Sequence, residues 1–69
     1  MKIGDMIYVN DSIGEAVILV IKEEYLILFR LNGGQFIKGN NYQIKDDNIS
    51  WCNGEYYNNL NELIEGLKG

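Results

Sequence analysis

The sequence predicts a mainly β domain: a small antiparallel, strongly bent sheet of five to six strands with one short C-terminal helix. Three observations carry this. Between Glu15 and Leu31 two runs of branched and aromatic residues, AVILVI and YLILF, are separated only by Lys22-Glu23-Glu24. That is the pattern of a hairpin buried on at least one face. Clusters of Gly, Asn and Asp punctuate the chain around these runs, as turns between short strands do. From Leu60 onward the apolar spacing changes to that of a helix face.

In chain order, Ile3 to Val9 reads as the first strand, with Ile3, Met6, Ile7 and Val9 apolar and Gly4 blurring the register. Asn10-Asp11-Ser12-Ile13-Gly14 is a loop of turn formers. The second strand covers about Glu15 to Ile21 and the third about Tyr25 to Leu31. Asn32-Gly33-Gly34 supplies a tight connection with residues able to take positive φ. Gln35 to Lys38 is the fourth strand, Gly39-Asn40-Asn41 interrupts it, and Tyr42 to Lys45 resumes as a short strand. Asp46-Asp47-Asn48 turns the chain into Ile49-Ser50-Trp51-Cys52. Asn53-Gly54 reads as a two-residue I′ turn, where both central positions need φ > 0, with Glu55-Tyr56-Tyr57 returning.

Leu60, Leu63, Ile64 and Leu67 fall at i, i+3, i+4 and i+7, so a helix is expected over 59–67. Asn59 is a suitable N-cap with Glu62 three residues on, a capping box with Asn in the first place. Gly66 weakens the last turn. A helix this short exists only if its apolar face is docked. The strands need such a cover. Ala16, Ile18 and Val20 alternate with Val17, Leu19 and Ile21, and Tyr25, Ile27, Phe29 and Leu31 with Leu26, Leu28 and Arg30. Both faces are therefore apolar, unlike a sheet with one wet face. One face lines the interior of the bend, with Ile18, Val20 and Phe29 expected inside. The other calls for the helix or a second molecule, with Trp51 and Tyr57 expected at the helix–sheet seam.

Sixty-nine residues make a single small domain near the lower size limit for folding without staples. With 46% hydrophobic and 23% charged residues the chain is too apolar for disorder. It has no histidine and one cysteine, Cys52, so neither an internal disulfide nor the usual zinc ligand set can be assembled. Asp5 interrupts the N-terminus before an apolar core develops, so no signal peptide is expected, and the run Ala16–Ile21 is far short of a membrane span. A cytoplasmic location follows as the expectation, and the sequons Asn10-Asp11-Ser12 and Asn48-Ile49-Ser50 read as chance. The bias toward Ile, Lys, Asn and Tyr, without Pro, is that of an AT-rich bacterial or phage genome.

The run Gly4-Asp5-Met6-Ile7-Tyr8-Val9, the Gly14-Glu15-Ala16-Val17-Ile18 after a short loop, the meander through Leu31, and Asp46-Asp47-Asn48-Ile49 entering a late strand resemble an SH3-like small barrel of the Tudor and KOW type. The resemblance covers about residues 3–52, and the tail from Asn53 departs from it. It implies a domain that binds proteins or nucleic acids through loops and exposed aromatics rather than one that catalyses.

Catalytic readings have little to stand on. Without histidine no Ser-His-Asp or Cys-His set can form. Gly33-Gly34 and Lys38-Gly39 lack the order of a phosphate loop, and the scattered acids lack EF-hand spacing. A non-enzymatic protein without metal or cofactor is expected. The aromatics are the better lead. Tyr8, Arg30, Tyr42 and Tyr56 are the candidate protein-binding residues, because Tyr, Trp and Arg dominate binding hot spots. A formal charge of −4 suits a basic protein partner and disfavours nucleic acid, whose binding rests on neutralised phosphates. The leading expectation is a protein-interaction module, by origin a phage or mobile-element accessory protein modulating a host protein. The alternatives are a Tudor/KOW-like nucleic-acid or ribosome-associated domain, which would need Lys22, Lys38 and Lys45 to cluster, and a homo-oligomeric structural protein.

Overall fold

The computed structural model describes residues 2–46 and 48–68. It is mainly β, with seven strands and one helix: β1 (Met6–Tyr8), β2 (Glu15–Ile21), β3 (Tyr25–Arg30), β4 (Phe36–Asn40), β5 (Gln43–Lys45), β6 (Asn48–Ser50), β7 (Asn53–Tyr57) and α1 (Leu60–Lys68). The strands form one sheet in the order β5-β6-β1-β2-β3-β4-β7. All neighbours are antiparallel except β1 and β6, which run parallel through the single pair Tyr8–Asn48. The expected five or six strands are thus seven. The ladder ends at β5 and β7 and does not close into a barrel.

The expected hairpin forms where the apolar runs predict it. Lys22, Glu23 and Glu24 make the turn, closed by the Lys22 N–H donating to the Tyr25 carbonyl at 2.9 Å. Across it Val17 faces Phe29, Ile18 faces Leu28, and then the register slips so that Val20 faces Ile27 and Ile21 faces Leu26. Leu19 is the extra residue of this β-bulge, which bends the strand and sharpens its twist. The slip also reverses strict alternation. Ile21 packs against the core, whereas Val20 joins the opposite face. Phe29 lies on that face too, half-buried with its ring centroid 5.1 Å from that of Phe36. Of the three residues expected inside, only Ile18 is fully buried.

Connectivity shows how far the sheet curls. β6 and β7 are joined by Trp51 and Cys52 alone, yet four strands separate them in the sheet. Laid flat, those five spacings would cover about 24 Å, while the chain from Ser50 to Asn53 reaches at most about 11 Å. The sheet must therefore wrap round until its two ends approach. Asn40 is paired with Asn53, so residues 41–52 are an arm that leaves β4, forms the β5–β6 hairpin against β1, and returns to β7. The arm turns at Asn41 and near Asp46, both at positive φ (53° and 51°), and Asp47 of the expected turn lies outside the described residues. The concave core comprises Ile7, Val9, Ile13, Ala16, Ile18, Leu26, Leu28, Ile37 and the arm's own Ile49, with Tyr42 and Trp51 packed against it.

Asn53-Gly54 is not a turn: both residues lie in β7, opposite Asn40 and Gly39. A strong local turn signal yields here to a cross-strand demand. A Cβ at Gly39 would stand 2.9 Å from the Trp51 ring and one at Gly54 2.5 Å from its Nε1. The paired glycines leave the bare backbone on which the indole lies, so Trp51 belongs to the concave face and not to the helix seam. Tyr57 does sit at that seam. Its ring occupies the space a side chain at Gly66 would take, so the residue that weakens the helix is also the one that lets it dock. The helix begins as the capping pattern predicts: the Glu62 N–H donates to Asn59 Oδ1 at 2.9 Å, and Asn59 Nδ2 donates to Glu62 Oε2 at 2.9 Å. Of its apolar stripe, Leu63 is buried, while Leu60, Ile64 and Leu67 remain exposed. No helix among the described residues is long and apolar enough to cross a membrane.

Candidate functional site

The curled sheet leaves an opening where its ends approach without pairing. A groove of about 270 Å³ runs along it, floored by Val9, Ile13 and Ile49, with Trp51 and Tyr56 as aromatic walls and Asn10 and Ser50 on the rim. Each member has a separate structural reason to be there. Tyr56 pairs with core residue Ile37, so its side chain is on the concave face, yet it is the last strand's residue and stays 51% exposed. Ile49 is carried in by the arm and Trp51 is held flat by the glycine pair. Asn10 shapes the β1–β2 loop, its Oδ1 accepting the Ser12 and Ile13 N–H groups at 2.9 and 3.0 Å. That loop thereby presents Ile13 to the groove floor.

The four residues singled out from sequence do not converge. Tyr56 alone lines this groove. Tyr8 lies on the opposite face of β1, 47% exposed, and borders a second depression with Glu15 and Leu31. Its hydroxyl donates to Asp11 Oδ1 at 2.5 Å. The bond to that carboxylate, then burial and the carboxylate's charge, raise the phenol above its ordinary pKa. Arg30 is a tie between loops. Its guanidinium donates to the Ser12 carbonyl (2.8 Å), the Ile13 carbonyl (3.2 Å) and Gln35 Oε1 (3.3 Å). Tyr42 anchors the arm, its hydroxyl donating to the Lys22 carbonyl at 2.7 Å.

The groove residues that sequence reasoning missed are Val9, Ile13, Ile49 and Trp51. Nothing local marks them, since they become neighbours only through the return of the arm to β1. On the convex face Glu55 gathers polar groups. It accepts from Tyr57 (3.0 Å) and Asn40 (3.1 Å) and pairs with Lys38 at 3.7 Å. The Asn40 bond first, then the Tyr57 bond, with a smaller contribution from Lys38, hold the Glu55 carboxyl below its ordinary pKa. Lys38 also lies 4.7 Å from the Tyr25 ring centre. It is therefore committed within the fold. Among the described residues no three His, Cys, Asp or Glu side chains come together as a metal site, and Cys52 is an exposed free thiol. Comparison of the chain with protein-family models, curated proteins and solved structures gives no match.

Proposed function

We propose that this chain is a non-catalytic protein-interaction module whose binding surface is the groove at the unclosed seam of the sheet. The observation that carries the reading is the pairing of an accessible tyrosine, Tyr56, with the half-buried Trp51 over an aliphatic floor. Rigid aromatics around a small apolar centre, rimmed by polar groups, are the composition of binding hot spots. The negative charge of the chain favours a basic partner. The SH3-like resemblance, with its expectation of binding by exposed aromatics, is part of this reading, as is action on a host protein in a bacterial cytoplasm. Affinity capture from a bacterial lysate tests it: a protein retained by the wild type and lost with Tyr56→Ser is expected. Retention of nothing above background, or equal retention by the variant, would contradict it.

A second reading, a homo-oligomer, is favoured by the exposure of Leu60, Ile64 and Leu67 along one side of α1. Sedimentation across a concentration series decides it, because a strict monomer excludes self-association. Nucleic-acid binding is the weaker alternative, since Lys38, one of the three lysines it requires, is already paired with Glu55.

A further inference from the structure

The chain contains two chemically identical Asn-Gly steps, Asn32-Gly33 and Asn53-Gly54, and the fold places them in opposite circumstances. We propose that Asn32 is a site of spontaneous deamidation, while Asn53 is protected by its place in β7. The inference stands apart from the binding reading and rests on the backbone of the two sites.

In the reaction the Gly33 nitrogen attacks the Asn32 side-chain carbonyl carbon. The nitrogen–Cγ bond forms and the Cγ–Nδ2 bond breaks. The Gly33 amide hydrogen leaves with the NH2 group as ammonia, giving a cyclic imide. One water then opens the imide at either carbonyl, yielding aspartate or isoaspartate at position 32. No oxidant, metal or second protein is required.

Asn32 is exposed in the turn between β3 and β4, and Gly33 sits at φ 121°, a conformation that only glycine adopts without strain. Among the described residues neither the Asn32 side chain nor the Gly33 N–H makes a hydrogen bond. The turn is held instead by its flanks, the Gly34 N–H donating to the Arg30 carbonyl at 3.0 Å and the Arg30 N–H to the Gln35 carbonyl at 2.8 Å. The groups that react, the Gly33 N–H and the Asn32 amide, are thus tied down by no bond of their own, and the turn has two short hydrogen bonds to loosen rather than a whole ladder. Gly33 itself carries no side chain to shield the attacking nitrogen.

Asn53 is held differently. It lies opposite Asn40 in the β4–β7 ladder, and its carbonyl accepts from Asn40 Nδ2 at 3.1 Å. Gly54 is paired with Gly39 beneath the Trp51 indole. Closing the imide ring requires the asparagine backbone to leave its extended conformation. That means opening β7 and lifting Trp51, so Asn53 reacts only from a locally unfolded state.

At Asn32 the product adds a carboxylate to a chain whose formal charge is already −4. The new charge falls on the turn that packs against Arg30, whose guanidinium carbon lies 3.8 Å from the place a Gly33 Cβ would occupy. It also borders the depression lined by Tyr8, Glu15 and Leu31.

The test is peptide mapping by mass spectrometry of the intact folded protein, aged in warm, mildly alkaline buffer, beside a sample aged in denaturant. In the folded protein Asn32 should gain the amide-to-acid mass at least about ten-fold faster than Asn53, the factor for each 1.4 kcal/mol of local opening. In denaturant the two rates should converge, because the local sequences then alone decide. Asn53 keeping pace with Asn32 in the folded protein, or a persistent difference in denaturant, would overturn the proposal. So would an unchanged Asn32 in the folded sample.

Discussion

Gly39 stands directly opposite Gly54 across β4 and β7, and the Trp51 indole lies over both. Three residues far from one another in local meaning are thus one packing unit. It fixes the return of the arm to β7 and sets one wall of the groove.

Replacing Gly39 by Ala tests that unit. In an ordinary strand the change would stabilise, since glycine loses about 0.5–1 kcal/mol more backbone entropy than alanine. Here a Cβ would meet the Trp51 ring at 2.9 Å, and overpacking of this kind costs about 1–3 kcal/mol. Denaturant unfolding should show Gly39→Ala destabilised, and the loss should shrink in a Trp51→Ala background. Additive effects of the two substitutions would show that ring and strand are uncoupled.

The helix gives a parallel case. Leu63→Ala should cost about 2–4 kcal/mol, as for a well-buried leucine, because Leu63 is the buried member of the stripe. Gly66→Ala should also destabilise, although alanine is the better helix former by about 1 kcal/mol, because Tyr57 fills the space beside it. An unchanged midpoint for Leu63→Ala, or a gain for Gly66→Ala, would show the helix detached from β7.

At the helix start, Asn59→Ala removes the acceptor of the Glu62 N–H. A loss of about 1 kcal/mol is expected, with Asn59→Asp falling between the two, because it keeps the acceptor for the Glu62 N–H but replaces the Nδ2 donor with a carboxylate facing Glu62. Urea midpoints of the three proteins check this.

The pH dependence follows from Tyr57 and Glu55. Burial first, then the bond to Glu55 and its charge, raise the Tyr57 pKa. The fold therefore binds that proton more tightly than the unfolded chain does. Stability from Tyr57 is full below the ordinary tyrosine value of about 10 and is lost as pH rises through the raised value. Glu55 runs the other way: its contribution is present above the ordinary glutamate range, about 4.3, and is lost as pH falls through its lowered value. Both effects are modest, because Glu55 is largely in water. Denaturant midpoints measured across pH should show the alkaline loss reduced in Tyr57→Phe and the acid loss reduced in Glu55→Gln.

Much of the fold was legible in the sequence, and the gaps have physical causes. The β2–β3 hairpin and α1 were readable because their signals are local: apolar runs about a charged turn, and a cap followed by an i, i+3, i+4 stripe. The bulge at Leu19 was not, since six aliphatic residues in a row, Ala16 to Ile21, carry no register. Asn53-Gly54 misled because a turn propensity of two residues was outweighed by an indole that needed bare backbone. Tyr56 was legible as an exposed aromatic. Its groove was not, because Val9 and Ile49 meet only through a 12-residue excursion between the paired Asn40 and Asn53.

The central claim, that the chain works by binding a protein at the seam, is tested most directly by site-specific photo-cross-linking. A photoreactive phenylalanine analogue placed at Tyr56 should trap a defined protein in lysate as one heavier band. The same group at Glu65, on the exposed side of α1, should trap little of it. Equal trapping from both positions, or none from position 56, would contradict the account.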